Sequence, residues 1–248
     1  MPSFTAHNIR LADGSDTFPS AGILLENNPW FLAVTRSLNA LFPTLDGLRI
    51  VDLGCCEGGY AVGFARLGMD VLGIEVRPSN FENCQYVKKH VELPNLQFVM
   101  DDVWNLARYG AFDVVFCCGL LYHLDRPREF LRLASASCRR AAIFNTHFAP
   151  HGNTDHFKLS PECEHEGLRG RWYTESSDLT GDRDASKWSS WNNNRSFWPS
   201  RGHLADAIHQ AGFPLVFEQL DFLNDIPTAI AREYHAAHHR CMFVGAKI

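Results

Sequence analysis

A doubly wound α/β fold with a seven-stranded, mostly parallel sheet is predicted by two observations. Short apolar runs bounded by glycine, proline and polar residues alternate with helix-length segments from 49 to 145. The first run ends in Gly54-Cys55-Cys56-Glu57-Gly58-Gly59, a strand-to-helix turn. Parallel neighbours require crossover connections, and helices usually supply them. At 248 residues the chain has room for one such domain and an insertion.

The elements follow in order. Arg49 to Leu53 is the first strand, and Tyr60 to Leu67 a helix closed by Gly68. Val71 to Glu75 is the second strand, Pro78 to Val91 a helix, Leu96 to Met100 the third strand and Phe112 to Cys117 the fourth. Pro127 to Ser137 is a helix and Ala141 to Asn145 the fifth strand. A helix over His203 to Ala211, stopped by Gly212, precedes strands Leu215 to Phe222 and Cys241 to Lys247.

Two segments stand outside this alternation. Residues 1–47 form an N-terminal extension whose helix candidate, Pro29 to Leu41, is apolar enough to cover the sheet or the mouth of a site. Residues 148–199 show no clean period but contain Trp172, Tyr173, Trp188, Trp191, Phe197 and Trp198. A structureless loop of that length is uncommon in a compact domain, and this aromatic content argues against disorder. A folded, aromatic cap between strand 5 and the last helix is expected, dividing the chain into 1–47, a core at 48–147, the cap at 148–199 and the end of the sheet at 200–248.

Composition narrows the function classes. With 46% hydrophobic and 21% charged residues the chain is globular, and its longest apolar runs fall short of the roughly 20 residues that a spanning helix needs. Met1 to Gly14 lacks a signal-peptide core, so a cytoplasmic location is expected. Eight scattered or adjacent cysteines make no disulfide framework and read as thiols. The net charge of -5 disfavours nucleic acid as a partner. His235, His238, His239 and Cys241 have metal-ligand spacing, but no second cluster supports them and a solvated loop explains them equally; Asp101 and Asp102 lack a third acid. No metal is expected, and the oligomeric state is not legible.

Three features point to a nucleotide-like ligand. The turn from Asp52 through Gly54, Cys55 and Gly58 to Tyr60 lets backbone approach a ligand closely. Glu75 follows about 20 residues later at a strand end, where a carboxylate can accept both ribose hydroxyls. Asp102, with Val103 beside it, ends the third strand and suits an adenine amino group.

In this order and spacing the residues resemble the class I, Rossmann-like S-adenosylmethionine-dependent methyltransferases, over about Leu48 to Thr146. The resemblance implies a sheet that closes with an antiparallel last strand, and S-adenosylmethionine as cofactor, held by Asp52, Gly54, Cys55, Gly58, Tyr60, Glu75, Asp102, Val103 and Cys118. Cys56 departs from it, because many members have another glycine there. The segment Phe112 to Leu124 is similar, through Leu121-Tyr122-His123-Leu124, to bacterial branches that include tRNA wobble-uridine carboxymethyl transferases and small-molecule enzymes. Dehydrogenases share the early turn but give no reason for this second motif.

Methyl transfer needs an in-line approach, and a base when the accepting atom carries a proton. His123 and His147 both follow strands at their carboxyl ends, with His147 preferred because the cap begins after it. Tyr122, Arg169, Arg171, Trp172 and Trp191 are the candidate acceptor contacts; the alternative for the tryptophans is a small core of the cap's own. The function expected is methyl transfer to an oxygen or nitrogen of a small organic acceptor. Modification of a tRNA base, or cofactor binding without catalysis, is the alternative.

Overall fold

A computed structural model describes residues 2–152, 157–175, 183–184, 186–220 and 239–247. The main sheet has seven strands: β1 (Arg49–Leu53), β2 (Asp70–Glu75), β3 (Leu96–Met100), β4 (Phe112–Cys118), β5 (Cys138–His147), β9 (Leu215–Glu218) and β10 (Arg240–Ala246). Their spatial order is β3-β2-β1-β4-β5-β10-β9. The strands β1 to β5 pair in parallel, whereas β10 runs antiparallel to both β5 and β9. The last strand in sequence is therefore inserted beside the edge rather than forming it. Its predicted neighbour was expected to continue to Phe222, and the residues beyond 220 lie outside those described.

Alternate residues of each strand feed two cores, because successive side chains of a strand point to opposite faces. Ile50, Val71, Val114, Phe116, Ile143 and Val244 meet α1 (Pro29–Leu41), α2 (Gly59–Arg66) and α3 (Pro78–His90). On the other face Val51, Leu53, Val115, Phe144 and Phe243 meet α4 (Pro127–Ala136) and α5 (Arg201–Gln210). Proline opens α1, α3 and α4, where its missing N–H is no loss. The Asn28 side chain caps α1 by accepting from Trp30 N at 2.9 Å.

The cap is more regular than its sequence suggests. It contains a three-stranded antiparallel sheet of β6 (Cys163–His165), β7 (Leu168–Thr174) and β8 (Arg195–Pro199). Aromatic residues pack across it, as in the directly opposed Trp172 and Phe197 at 5.2 Å between ring centres. Trp198 and Phe197 are fully buried, and Phe197 joins the core of the main domain, so part of the aromatic signal is packing.

Candidate active site

The carboxyl ends of β1 to β4 open into a cavity of about 580 Å³, within the range of small-molecule sites. Core residues form one wall, residues 187–193 of the cap another, residues 5–7 the near rim, and Arg240 also lines it. The glycine turn shapes the floor. Gly54, Cys56 and Gly58 all take left-handed backbone, with φ of 67°, 53° and 81°. The departure at Cys56 leaves the turn in the conformation a glycine would adopt, at a cost of about 1–2 kcal/mol for a residue with a Cβ. Gly58 caps α2 and has Phe98 where a Cβ would stand; its role is packing beneath the turn, not the cavity wall.

Asp52 and Glu75 lie side by side on this floor. Glu75 accepts from Cys56 N and Arg77 N, each at 2.8 Å, which fixes the carboxylate across the turn. Burial nevertheless pushes its pKa upward. Asp52 is more extreme: burial, then the neighbouring Glu75 charge, raise its carboxyl to about 8. Its Oδ2 is buried with no hydrogen-bond partner among the described residues. An acid left unsatisfied in a cavity wall fits a ligand that brings a cation or donor. Asp102 caps the turn after β3, accepting from Trp104 N at 3.0 Å, while Asn192 of the cap donates to its other oxygen. Val103 and Tyr60 also line the cavity, and Cys118 stands at the end of β4.

The near rim rests on a residue that sequence reasoning missed. Glu57 accepts from the backbone N–H groups of Thr5, Ala6 and His7 at 2.8, 3.0 and 2.9 Å. Burial pushes that carboxyl up, but the three donors outweigh it and hold it below the usual range. His7 accepts from Gly59 N at 3.0 Å, which requires the neutral ring, and burial lowers its pKa to about 4. The N-terminal strand of chain is thereby strapped over the glycine turn. No local pattern signals Glu57, because its partners are about fifty residues away.

The two candidate bases part company. His123 lines the cavity, and its Nδ1 lies 2.8 Å from Glu175 Oε1 of the cap. Glu175 is buried and also accepts from Ser196 Oγ at 2.5 Å and Ser190 N at 3.0 Å. A carboxylate held this way fixes Nδ1 as the donor and leaves Nε2 as the basic nitrogen. His147, preferred on sequence, is not on the cavity wall. It stacks on Trp198 at 4.9 Å and 8°, and meets Tyr122 edge-on at 4.6 Å, behind the wall. Aromatic residues of the segment after His147, Phe157 and Trp198, pack against its ring instead of opening a site beside it.

Among the cap candidates, Trp191 lines the cavity with Arg77 5.2 Å above its ring. Tyr122 lines it as well. Arg169, Arg171 and Trp172 do not: Arg169 is exposed, Arg171 donates to Ser160 O at 3.2 Å, and Trp172 lies beneath Arg195 at 4.2 Å. All three sit on β7 and serve the cap's own sheet. Residues 235–238 of the histidine run lie outside those described, and no metal-holding cluster occurs among the described residues. No helix among them is long and apolar enough to cross a membrane.

Residues 51–144 match a methyltransferase domain family. The chain is 35% identical over 97 residues to a ubiquinone biosynthesis O-methyltransferase of Albidiferax ferrireducens, covering 38% of each. It is 31% identical over 135 residues to a tRNA U34 carboxymethyltransferase of Pseudomonas putida, covering 52% of this chain and 41% of that one. The chain thus spans about two fifths of the length of these curated relatives. Similar solved folds include the N-terminal domain of EvdMO1 with SAH and D-fucose, at 23% identity, 90% and 84% coverage and a TM-score of 0.64. Magnesium protoporphyrin IX methyltransferase of Synechocystis with bound SAH has 17% identity, 96% and 90% coverage and a TM-score of 0.56. The residues between β1 and β5 therefore constitute a class I, Rossmann-like methyltransferase domain, of the family whose cofactor is S-adenosylmethionine.

Proposed function

We propose that the protein transfers a methyl group from S-adenosylmethionine to an oxygen or nitrogen of a small organic acceptor, with His123 as the base. The observation that carries this reading is the His123–Glu175 pair on the wall of a cavity whose floor holds Asp52 and Glu75. The cofactor would supply a methyl group on an electrophilic sulfonium. Asp52, with its unsatisfied Oδ2, would take the cofactor's ammonium, Glu75 the ribose hydroxyls, and Asp102 with Val103 the adenine. Glu175 orients His123 so that Nε2 can receive the acceptor's proton, and the buried carboxylate stabilises the imidazolium that results. The cap segment 187–193 covers the cavity, which limits water around the reacting atoms.

Calorimetric titration with S-adenosylhomocysteine tests the cofactor part, with micromolar binding expected and absence of heat counting against it. Transfer to a tRNA base is a second reading, favoured by the likeness to tRNA U34 carboxymethyltransferases over about half the chain. The net charge of -5 opposes it. A gel shift with total tRNA, abolished by moderate salt, would move the acceptor from a small molecule to RNA.

A further inference from the structure

We infer that His7 of the N-terminal strap and Lys187 of the cap together hold the carboxylate of the cofactor's amino-acid end, an inference that rests on the methyl-transfer reading. The ring of His7 is locked in one tautomer. Its Nδ1 accepts from Gly59 N at 3.0 Å, so the ring hydrogen stands on Nε2. No described residue accepts from that N–H, although His7 lines the cavity, with its ring edge-on to Tyr60 at 5.7 Å between centres.

Lys187 reaches the same place from the cap. Its Nζ lies 3.3 Å from Thr5 Oγ1 and 3.4 Å from Glu57 Oε1, long contacts that leave at least one of the three ammonium hydrogens unused. Glu57 gathers the two residues, since its Oε2 accepts from the His7 backbone N–H while its Oε1 faces the Lys187 ammonium. A neutral donor and a charged one are thereby set within one carboxylate of each other, on the cavity wall.

Their position relative to Asp52 fits a single amino-acid group. Asp52 accepts from the Ala61 N–H and His7 from the Gly59 N–H, two residues apart in the first turn of α2. The ammonium and carboxylate of an α-amino acid share one carbon, so an acid for the first and donors for the second must stand close together. Arg77, which also lines the cavity, is committed elsewhere: its terminal nitrogens donate to Arg183 O and, at 3.1 Å, to Ser189 O. A carboxylate between His7 and Lys187 would accept from both, with the ammonium giving the stronger bond, and would tie the strap to the cap.

The test compares S-adenosylhomocysteine with its decarboxylated analogue, S-adenosyl-3-thiopropylamine, which keeps the ammonium and the nucleoside. Both are titrated calorimetrically into the native protein, His7→Asn, His7→Gln and Lys187→Met. Asparagine keeps an acceptor where Nδ1 stands and removes the Nε2 donor, whereas glutamine places an amide nitrogen where Nε2 stands. S-adenosylhomocysteine is expected to bind the native protein about 10–100-fold more tightly than the analogue, the range for one or two hydrogen bonds to a charged group. That ratio should fall by about threefold or more in His7→Asn and in Lys187→Met, and stay within about twofold of native in His7→Gln. Affinity for the analogue should change by less than about twofold throughout, which reports that the strap and the fold are intact. A native ratio near one, or a ratio unchanged in His7→Asn or Lys187→Met, would overturn the inference. So would an equal loss for both compounds in either variant, since the residue would then only support the wall. A native protein that binds neither compound would defeat the methyl-transfer reading itself, and the inference with it.

Discussion

The core wall of the cavity and the cap wall are held in place by different means. Asp52, Glu75, Asp102 and His123 stand at or just beyond the carboxyl ends of adjacent parallel strands, whose register fixes them relative to one another. The cap wall, residues 187–193, is held by hydrogen bonds to the core, Arg77 to Ser189 O at 3.1 Å and Asn192 to Asp102, and by Ser190 N to Glu175 within the cap. Lys187 adds a contact to Glu57 at 3.4 Å. A wall built from strand ends is set when the sheet forms. A wall built from a few polar contacts can open at a cost of a few such bonds, each contributing about 0.5–1.5 kcal/mol net.

This contrast ranks the effects of substitutions. The largest belongs to the pair that joins the two walls: His123→Ala should lower kcat by about 10²–10⁴-fold, measured as S-adenosylhomocysteine release with an active acceptor. Glu175→Gln should reproduce much of that loss on its own, with the double variant little worse than His123→Ala, because the two act as one unit. His147→Ala, behind the wall, should change kcat by less than about threefold. A reversed order would place the base with the aromatic cluster.

Next comes the core wall alone. Glu75→Gln should weaken S-adenosylhomocysteine binding about 10–100-fold in calorimetry, the range for one or two charged hydrogen bonds. The cap wall should give less: Trp191→Ala about two- to fivefold in the same titration, in keeping with a half-buried ring beneath a guanidinium, and Arg169→Ala no change. Equal losses from Glu75→Gln and Trp191→Ala would erase the distinction between the walls.

The N-terminal strap sharpens the comparison through pH. In the unfolded chain His7 takes up a proton near its ordinary value of 6.5, whereas in the folded protein it does so only near 4. Its contribution to stability is therefore complete above 6.5 and declines as pH falls through that window. Glu57, held below its ordinary value, adds a loss in the same direction at lower pH. Thermal melts from pH 7 to 4 should show this decline, and His7→Gln should flatten it between 6.5 and 4.

How much of this was legible in the sequence follows the same division. Strand residues, the turn, Glu75 and Asp102 are local signals, since period-two burial and a turn of fixed length place them without knowledge of the rest. The three-stranded sheet of the cap was not, because its pairing of residues 168–174 with 195–199 spans a segment of low regularity. Arg171 and Trp172 were misjudged for that reason: alternation along β7 decides which way they face, and the strand itself was not visible. Glu175 was missed because it acquires its place from a partner far away in sequence, His123. Nothing adjacent to Glu175 signals that partner.

The central claim is that the floor around Asp52 binds an S-adenosyl compound and that this acid meets the ligand's ammonium. At pH 7 the Asp52 carboxyl, raised to about 8, is mostly protonated before binding, and a cation beside it favours the ionised form. Calorimetric titration with S-adenosylhomocysteine in two buffers of different ionisation heat measures the consequence. The account predicts release of a substantial fraction of one proton at pH 7, fading by pH 9 where the acid is already ionised, and absent in Asp52→Asn. Binding with no difference between the buffers at pH 7, or no binding at all, would contradict it.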